Sequence, residues 1–276
     1  MAGAVSTTRG QRVSRVILWI VTIAALLFLI APILAIIPLS FSAGSFMTYP
    51  LPGLSLRWYR DFWTSEFWLP ALQNSAIVGI CAAGLATTLG TLAAIGLWSA
   101  RLPGRALIVT VLLLPMMVPD IVTAVGVYFA FAPIGLTNGY AGLILAHTAL
   151  ATPFVVVTVL ATLAGFDRTL LRAAASLGAA PFFAFRKVML PLILPGVLSG
   201  ALFAFAISFD EVVVALLVAG PAYRTLPRQM FSGINDNISL TITAVATMLI
   251  ATSIVILLGV AMLRRRAGAL ARKAQP

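Results

Sequence analysis

The sequence predicts an all-α polytopic membrane protein with six transmembrane helices, and three observations lead to that fold class. Of 276 residues, 61% are hydrophobic and only 9% are charged, with a mean hydropathy of +1.09, whereas a soluble domain carries about 25% charged residues. A chain this apolar cannot cover its own surface with polar groups, so lipid must cover it. Six apolar runs reach the roughly 20 residues needed to cross about 30 Å of hydrocarbon. Every Lys and Arg lies outside those runs. In a bilayer each run is helical, because a lone apolar segment there can satisfy its backbone hydrogen bonds only internally.

The first run, Val16 to Leu39, follows Arg9, Arg12 and Arg15, an arrangement it shares with secretory signals. Its apolar stretch exceeds the about 7 to 15 residues of a signal core, so it reads as a retained helix. The second run, Ala71 to Ser99, repeats Ala82, Ala86, Gly90 and Ala94 every four residues. Such a small-residue stripe admits another helix closely, either from a sister chain or from within the subunit. The third, Ala106 to Phe131, contains Pro115 and Pro119 just before Asp120, and two prolines free backbone carbonyls beside that charge. The fourth, Gly139 to Gly165, carries His147, readable as a packing imidazole or as a proton relay. The fifth and sixth are Leu192 to Ala219 and Leu240 to Leu263.

Fourteen of the eighteen basic residues fall at the N-terminus, in two alternate loops and at the C-terminus. The other four, Arg57, Arg60, Arg224 and Arg228, fall in the opposite loops. That bias puts both termini in the cytoplasm. The net charge of +11 is therefore a topology signal and not the footprint of a nucleic-acid binder, for which no basic face with interleaved readers exists. The organisation that follows is a cytoplasmic segment over 1–15, a six-helix membrane domain over 16–263 with an inner loop at 166–191, and a basic cytoplasmic tail over 264–276. The outer loop from Ser40 to Pro70 carries Trp58, Tyr59, Trp63 and Trp68, which suit an interfacial aromatic belt. The outer loop from Gly220 to Ser239 either stands in solvent, meets a partner, or folds back over a path. Cys81 is a lone small residue without paired ligand spacing.

The inner loop is amphipathic. Asp167 can cap a short helix carrying Leu170, Leu171, Ala174 and Leu177; Gly178 stops it, and Pro181 starts a second helix through Phe182, Phe185, Val188 and Met189. This elbow exposes apolar and basic surface that either a partner protein covers or the membrane surface receives.

The stretch Arg172-Ala-Ala-Ala-Ser-Leu-Gly178 followed by Phe185-Arg-Lys-Val-Met-Leu-Pro191 resembles the EAA loop of type I ABC-importer permeases. The resemblance covers about Ala71 to Leu263 and implies that fold for the chain. It also implies that Arg172, Ala173, Ala174, Gly178, Phe185, Leu190 and Pro191 form the coupling surface for a cytoplasmic ATPase. Arg172 stands where the family usually has Glu, which alters charge pairing at that point. The segments Met117 to Val122, Ser208 to Val213 and Ala219 to Pro227 are similar to the spermidine and putrescine branch of this family. That branch implies a second homologous permease, an ATPase dimer that holds ATP and Mg, a periplasmic or other extracytoplasmic binding protein, and a place in the bacterial inner membrane.

Three acids, Asp120, Asp210 and Glu211, fall inside spans that contain no Lys or Arg. A charge near the bilayer centre costs about 2.5 to 3.5 kcal/mol on insertion scales, so these acids face protein or water and suit a cationic passenger. Asp120 could instead be a protonated acid bonded across the bundle. On a continuous helix Asp210 and Glu211 point about 100° apart, so only one of them lines a path. Phe205 and Phe209, one turn apart, and Tyr128 offer faces to an amine or simply pack. There is no Gly-x-x-x-x-Gly-Lys-Ser/Thr loop, no nucleophile with its base and no metal-ligand cluster, so the subunit reads as no enzyme and as holding no cofactor of its own. An importer of another solute, an opine, an organophosphonate or another amine, is the nearest alternative. A proton-coupled secondary transporter using Asp120, Asp210 and His147 is a further one, and a membrane enzyme or anchor lacks a convergent site.

Overall fold

A computed structural model describes residues 9–100, 102–236 and 239–273. The start of the expected N-terminal segment, Arg101, Asn237 and the end of the basic tail lie outside the described residues. Five helices are long and apolar enough to cross a membrane, and a sixth span appears when one sharply bent pair is counted together. The chain forms two compact units, 1–63 with 238–249, and 64–237 with 250–276.

The first unit holds α1 (Arg9–Leu39), a loop, α2 (Arg57–Thr64) and the start of α12 (Thr241–Lys273). Apolar side chains along α1, such as Leu18, Trp19 and Phe28, are exposed, as lipid-facing residues should be. The loop is stitched by side chains that the belt reading placed at the membrane surface. Trp58 Nε1 donates to the Ser42 carbonyl at 2.8 Å and the Tyr59 hydroxyl lies 2.8 Å from Ser40 Oγ. With Trp68 also buried, only Trp63 of the four is left well exposed. The polar tips of Trp58 and Tyr59 thus find hydrogen-bond partners within the protein.

The second unit is built on α3 (Trp68–Ser99), α6 (Tyr140–Ala164) and α9 (Leu190–Asp210). Val155, Val159 and Leu163 of α6 meet Ala86 and Ala94 of α3 and Ile193 and Ala204 of α9 in one buried cluster. The approach is close because the facing residues are small. A Cβ on Gly90 would sit 2.7 Å from Val155 Cβ, and one on Gly200 would sit 2.8 Å from Thr158 Oγ1. The stripe on the second span therefore packs within the subunit. A second cluster joins Val78, Leu143, Ala146 and Leu150 to Ala124, Val214 and Val218.

Two spans depart from the expected continuous runs. The third is α4 (Arg105–Leu113), a 3-10 turn (Leu114–Met116) and α5 (Asp120–Phe131), bent by 100° at the break. Pro119 has no N–H to continue the ladder and disfavours helical backbone at Val118. It adopts φ −55°, ψ 137°, and a new helix starts at Asp120. The fifth stops at Asp210, leaves Glu211 extended (φ −70°, ψ 120°), and resumes as α10 (Val213–Val218).

The elbow between α6 and α9 begins as expected and ends differently. Asp167 accepts from Thr169 N–H at 2.8 Å and from its hydroxyl at 2.6 Å at the start of α7 (Thr169–Ser176). Gly178 has φ +80°, with its N–H on the Ala175 carbonyl and that of Ala179 on the Ala174 carbonyl. That is a Schellman closure, which an L side chain at Gly178 would strain. The second helix, α8 (Pro181–Ala184), is not a separate piece. A π-helical turn (Phe185–Met189), closed by Leu190 N–H on the Phe185 carbonyl, carries it straight into α9. The wider turn accommodates Pro191, which lacks an N–H. The remaining helix, α11 (Leu226–Asp236), follows a 3-10 turn at Pro221–Tyr223.

Candidate functional site

Both helix breaks open on one cavity of about 430 Å³. Asp120 at the start of α5, Asp210 at the end of α9 and Glu211 in the break line it together, with Met116, Leu150 and Phe154 among the apolar walls. No basic residue is among the walls. The helical argument that allowed only one of Asp210 and Glu211 to face a path fails, because the helix ends between them and the extended backbone at Glu211 turns the second carboxylate back.

The three acids are not equivalent. Glu211 is half-buried, and its Oε1 accepts from Val213 N–H at 2.8 Å and Val214 N–H at 2.9 Å, capping α10. Asp120 and Asp210 are exposed, and among the described residues no donor satisfies their carboxylates. Two free carboxylates beside a third, in a chamber with no basic wall, attract cationic amines, and the strongest hydrogen bonds they make are charge-assisted. Among the described residues no group of three or more His, Cys, Asp or Glu side chains is placed to hold a metal ion.

The aromatic candidates lie elsewhere. Phe205 and Phe209 stack at 5.2 Å and lean on Gly79, filling space between α9 and α3. Tyr128 meets Phe129 edge to face at 5.7 Å and does not line the cavity. His147 is fully buried and its Nδ1 lies 2.8 Å from Ser208 Oγ and 3.1 Å from the Ser208 carbonyl. It pins the last turn of α9 two residues before Asp210, a structural task.

From Gly220 to Asp236 the next connection is also not a loose loop. Asn74 Nδ2 donates to the carbonyls of Ala222 and Arg224 at 3.1 and 3.0 Å, while the Tyr140 hydroxyl donates to Asn74 Oδ1 at 2.6 Å. Arg228 donates to the Ala219 and Gly220 carbonyls. Sequence reading did not single out Asn74. A polar residue near the start of an apolar run was the only available signal.

At the elbow, Arg172 and Ala173 are exposed and Ala174 is partly so, while Phe185 and Leu190 pack against the α3–α6–α9 core. Pro191 is exposed at the first turn of α9. The exposed apolar crest is instead Leu177, Phe182 and Phe183, with Leu177 89% accessible. Hydrogen bonds from Thr169 and the nearby charge of Arg172 hold the Asp167 carboxyl below its usual range, so the cap stays ionised.

A family described as "Binding-protein-dependent transport system inner membrane component" matches residues 86–268. The chain belongs to this family. It is thus an inner-membrane permease subunit of an ABC importer, a transport protein and not an enzyme, whose ATPase is a separate subunit. The permease is 35% identical over 238 residues to the spermidine/putrescine transport system permease protein PotC of Escherichia coli, covering 86% of this chain and 90% of that one. It is 37% identical over 227 residues to the Haemophilus influenzae protein of the same name, covering 82% and 88%. With the putrescine transport system permease protein PotI of Escherichia coli it shares 33% over 230 residues, covering 81% and 82%. Among solved structures, a bacterial ABC transporter for the acidic polysaccharide alginate superposes with a TM-score of 0.72 at 14% identity, over 94% of this chain and 99% of that one. The inward-facing MetNI methionine transporter gives 0.53 at 19%, over 77% and 100%. These structural likenesses carry the fold alone.

Proposed function

We propose that this permease conducts a small polycationic amine of the spermidine or putrescine class. A second homologous permease completes the path, a binding protein outside the membrane delivers the amine, and an ATPase dimer holding ATP and Mg drives the cycle. Both termini face the cytoplasm, and the elbow meets the ATPase through Leu177, Phe182 and Phe183. One observation carries the substrate assignment: two unsatisfied carboxylates and a third that caps a helix share a cavity with no basic side chain among its walls. The names of the relatives point to the same chemistry.

The test is uptake by the complete importer in proteoliposomes, wild type against Asp120→Asn. A charge-assisted hydrogen bond contributes about 1.5 to 3 kcal/mol, so the KM for spermidine should rise about ten- to hundredfold while assembly with the ATPase is unchanged. Unaltered uptake by the variant removes Asp120 from the path. Preferential uptake of an anionic or neutral solute by the wild type overturns the amine assignment.

A further inference from the structure

A second cavity, of about 550 Å³, opens where α3 ends and α4 begins, beside the entry to the elbow. Trp98, Ser99, Leu102, Pro103, Arg105 and Arg168 are among its walls, so it presents two guanidinium groups, and no acid is among the residues that line it. Arg168 lies over the Trp98 ring at 4.3 Å and donates to the Trp98 carbonyl. A guanidinium has five N–H donors, so others on Arg168 remain for an outside acceptor. Arg105 is exposed and its side chain finds no acceptor among the described residues. It stands on the first residue of α4, and the following turns expose Leu107 and Val111 at 69% and 59%.

The cavity thus combines a cationic mouth, with no acid among its walls, and an apolar skirt at the end of a membrane-spanning helix. A soluble anion would satisfy the guanidinium groups and leave the skirt bare. A zwitterionic lipid would cover the skirt but bring a cation of its own to the mouth. An anionic phospholipid supplies both parts, and basic pockets between membrane helices take such headgroups. We propose that this cavity binds the phosphate of an anionic phospholipid headgroup between Arg105 and Arg168, with the acyl chains along Leu107 and Val111 of α4. The lipid would then brace the α3–α4 connection against the elbow that Arg168 tethers to Trp98. This site is separate from the acid-lined cavity and does not depend on what passes through it.

The test is native mass spectrometry of the complete importer, released from nanodiscs of phosphatidylcholine containing a minor fraction of phosphatidylglycerol. Wild type should retain phosphatidylglycerol in preference to phosphatidylcholine. Arg105→Gln should lower that preference about fivefold, the factor that one basic side chain near an anionic surface is worth, and Arg105→Lys should keep most of it. Arg15→Gln removes the same charge from α1 and should change nothing. Excess inorganic phosphate should leave the lipid bound. Displacement by phosphate alone would show that the site takes a free anion and overturn the lipid assignment. Equal losses in the Arg105 and Arg15 glutamine variants, or no preference in the wild-type complex, as when a partner protein fills the cavity, would overturn the site itself.

Discussion

Among the spans with interior prolines, the third and the fourth behave oppositely. Pro153 sits inside α6, which runs unbroken from Tyr140 to Ala164. Pro115 and Pro119 terminate α4 and bend the third span by 100°. The difference lies in the neighbours. Twelve residues of α6 are buried, and the small faces of α3 and α9 grip Val155 from both sides. By contrast α4 buries none of its residues and α5 only Ala124. One lost hydrogen bond, worth about 1 kcal/mol net, cannot unseat a helix packed over its length. Sparse packing alone does not break a helix, since the exposed α1 runs on through Pro32 and Pro38; in the third span two prolines only four residues apart act together on a poorly packed segment. The bundle stays rigid where it is dry and breaks where an acid must be presented.

That contrast can be attacked from the packed side first. Gly90→Val would drive a branched side chain into Val155 and the Thr152 carbonyl, 2.7 and 3.2 Å from the new Cβ. A loss of about 3 kcal/mol is expected, read as a marked fall in melting temperature in detergent; wild-type melting would disprove the tight α3–α6 seam. On the broken side, Glu211→Ala strips the cap from α10 and should cost about 1 kcal/mol, whereas Glu211→Gln keeps an acceptor for Val213 and Val214 and should melt close to wild type. Equal melting of the two variants would mean that the cap contributes nothing. The smallest effect is expected from Pro153→Ala. The regained hydrogen bond to the Ala149 carbonyl offsets buried ring contacts, so stability should move by less than about 1 kcal/mol. A larger shift would show that the proline sets the course of α6.

What was legible in the sequence follows the reach of its signals. Hydropathy located five long apolar helices and the bent pair that makes a sixth span, because each is a contiguous property of some twenty side chains, though the fifth runs from Pro181 to Asp210 and not from Leu192 to Ala219. The first half of the elbow was legible too, since Asp167 and Gly178 act on backbone within three residues of themselves. Pro181 likewise marked a helix start, but nothing local announced that the helix would run on through a π turn into α9. The acids were found by their rarity in apolar runs. Their arrangement was not, because it turns on the chain breaking after Asp210, where no proline or glycine marks a stop. The aromatic alternatives stayed open in the sequence for a related reason. Phe205, Phe209, Trp58 and Tyr59 satisfy both an interfacial or ligand-facing rule and a packing rule, and only tertiary neighbours decide between them. Asn74 contacts carbonyls 148 and 150 positions away, a separation across which one sequence carries no message.

That asparagine has a mechanical consequence. Its amide nitrogen grips two points of the connection after α10 and its oxygen is gripped by Tyr140, while the adjacent Ser75 receives the N–H of Leu226 at 2.7 Å. Sliding any one of these strands of chain past the others would break several hydrogen bonds at once, at about 0.5 to 1.5 kcal/mol each. Any opening at this end of the subunit would therefore have to break these bonds together, whereas the third and fifth spans are already interrupted at Pro119 and Glu211.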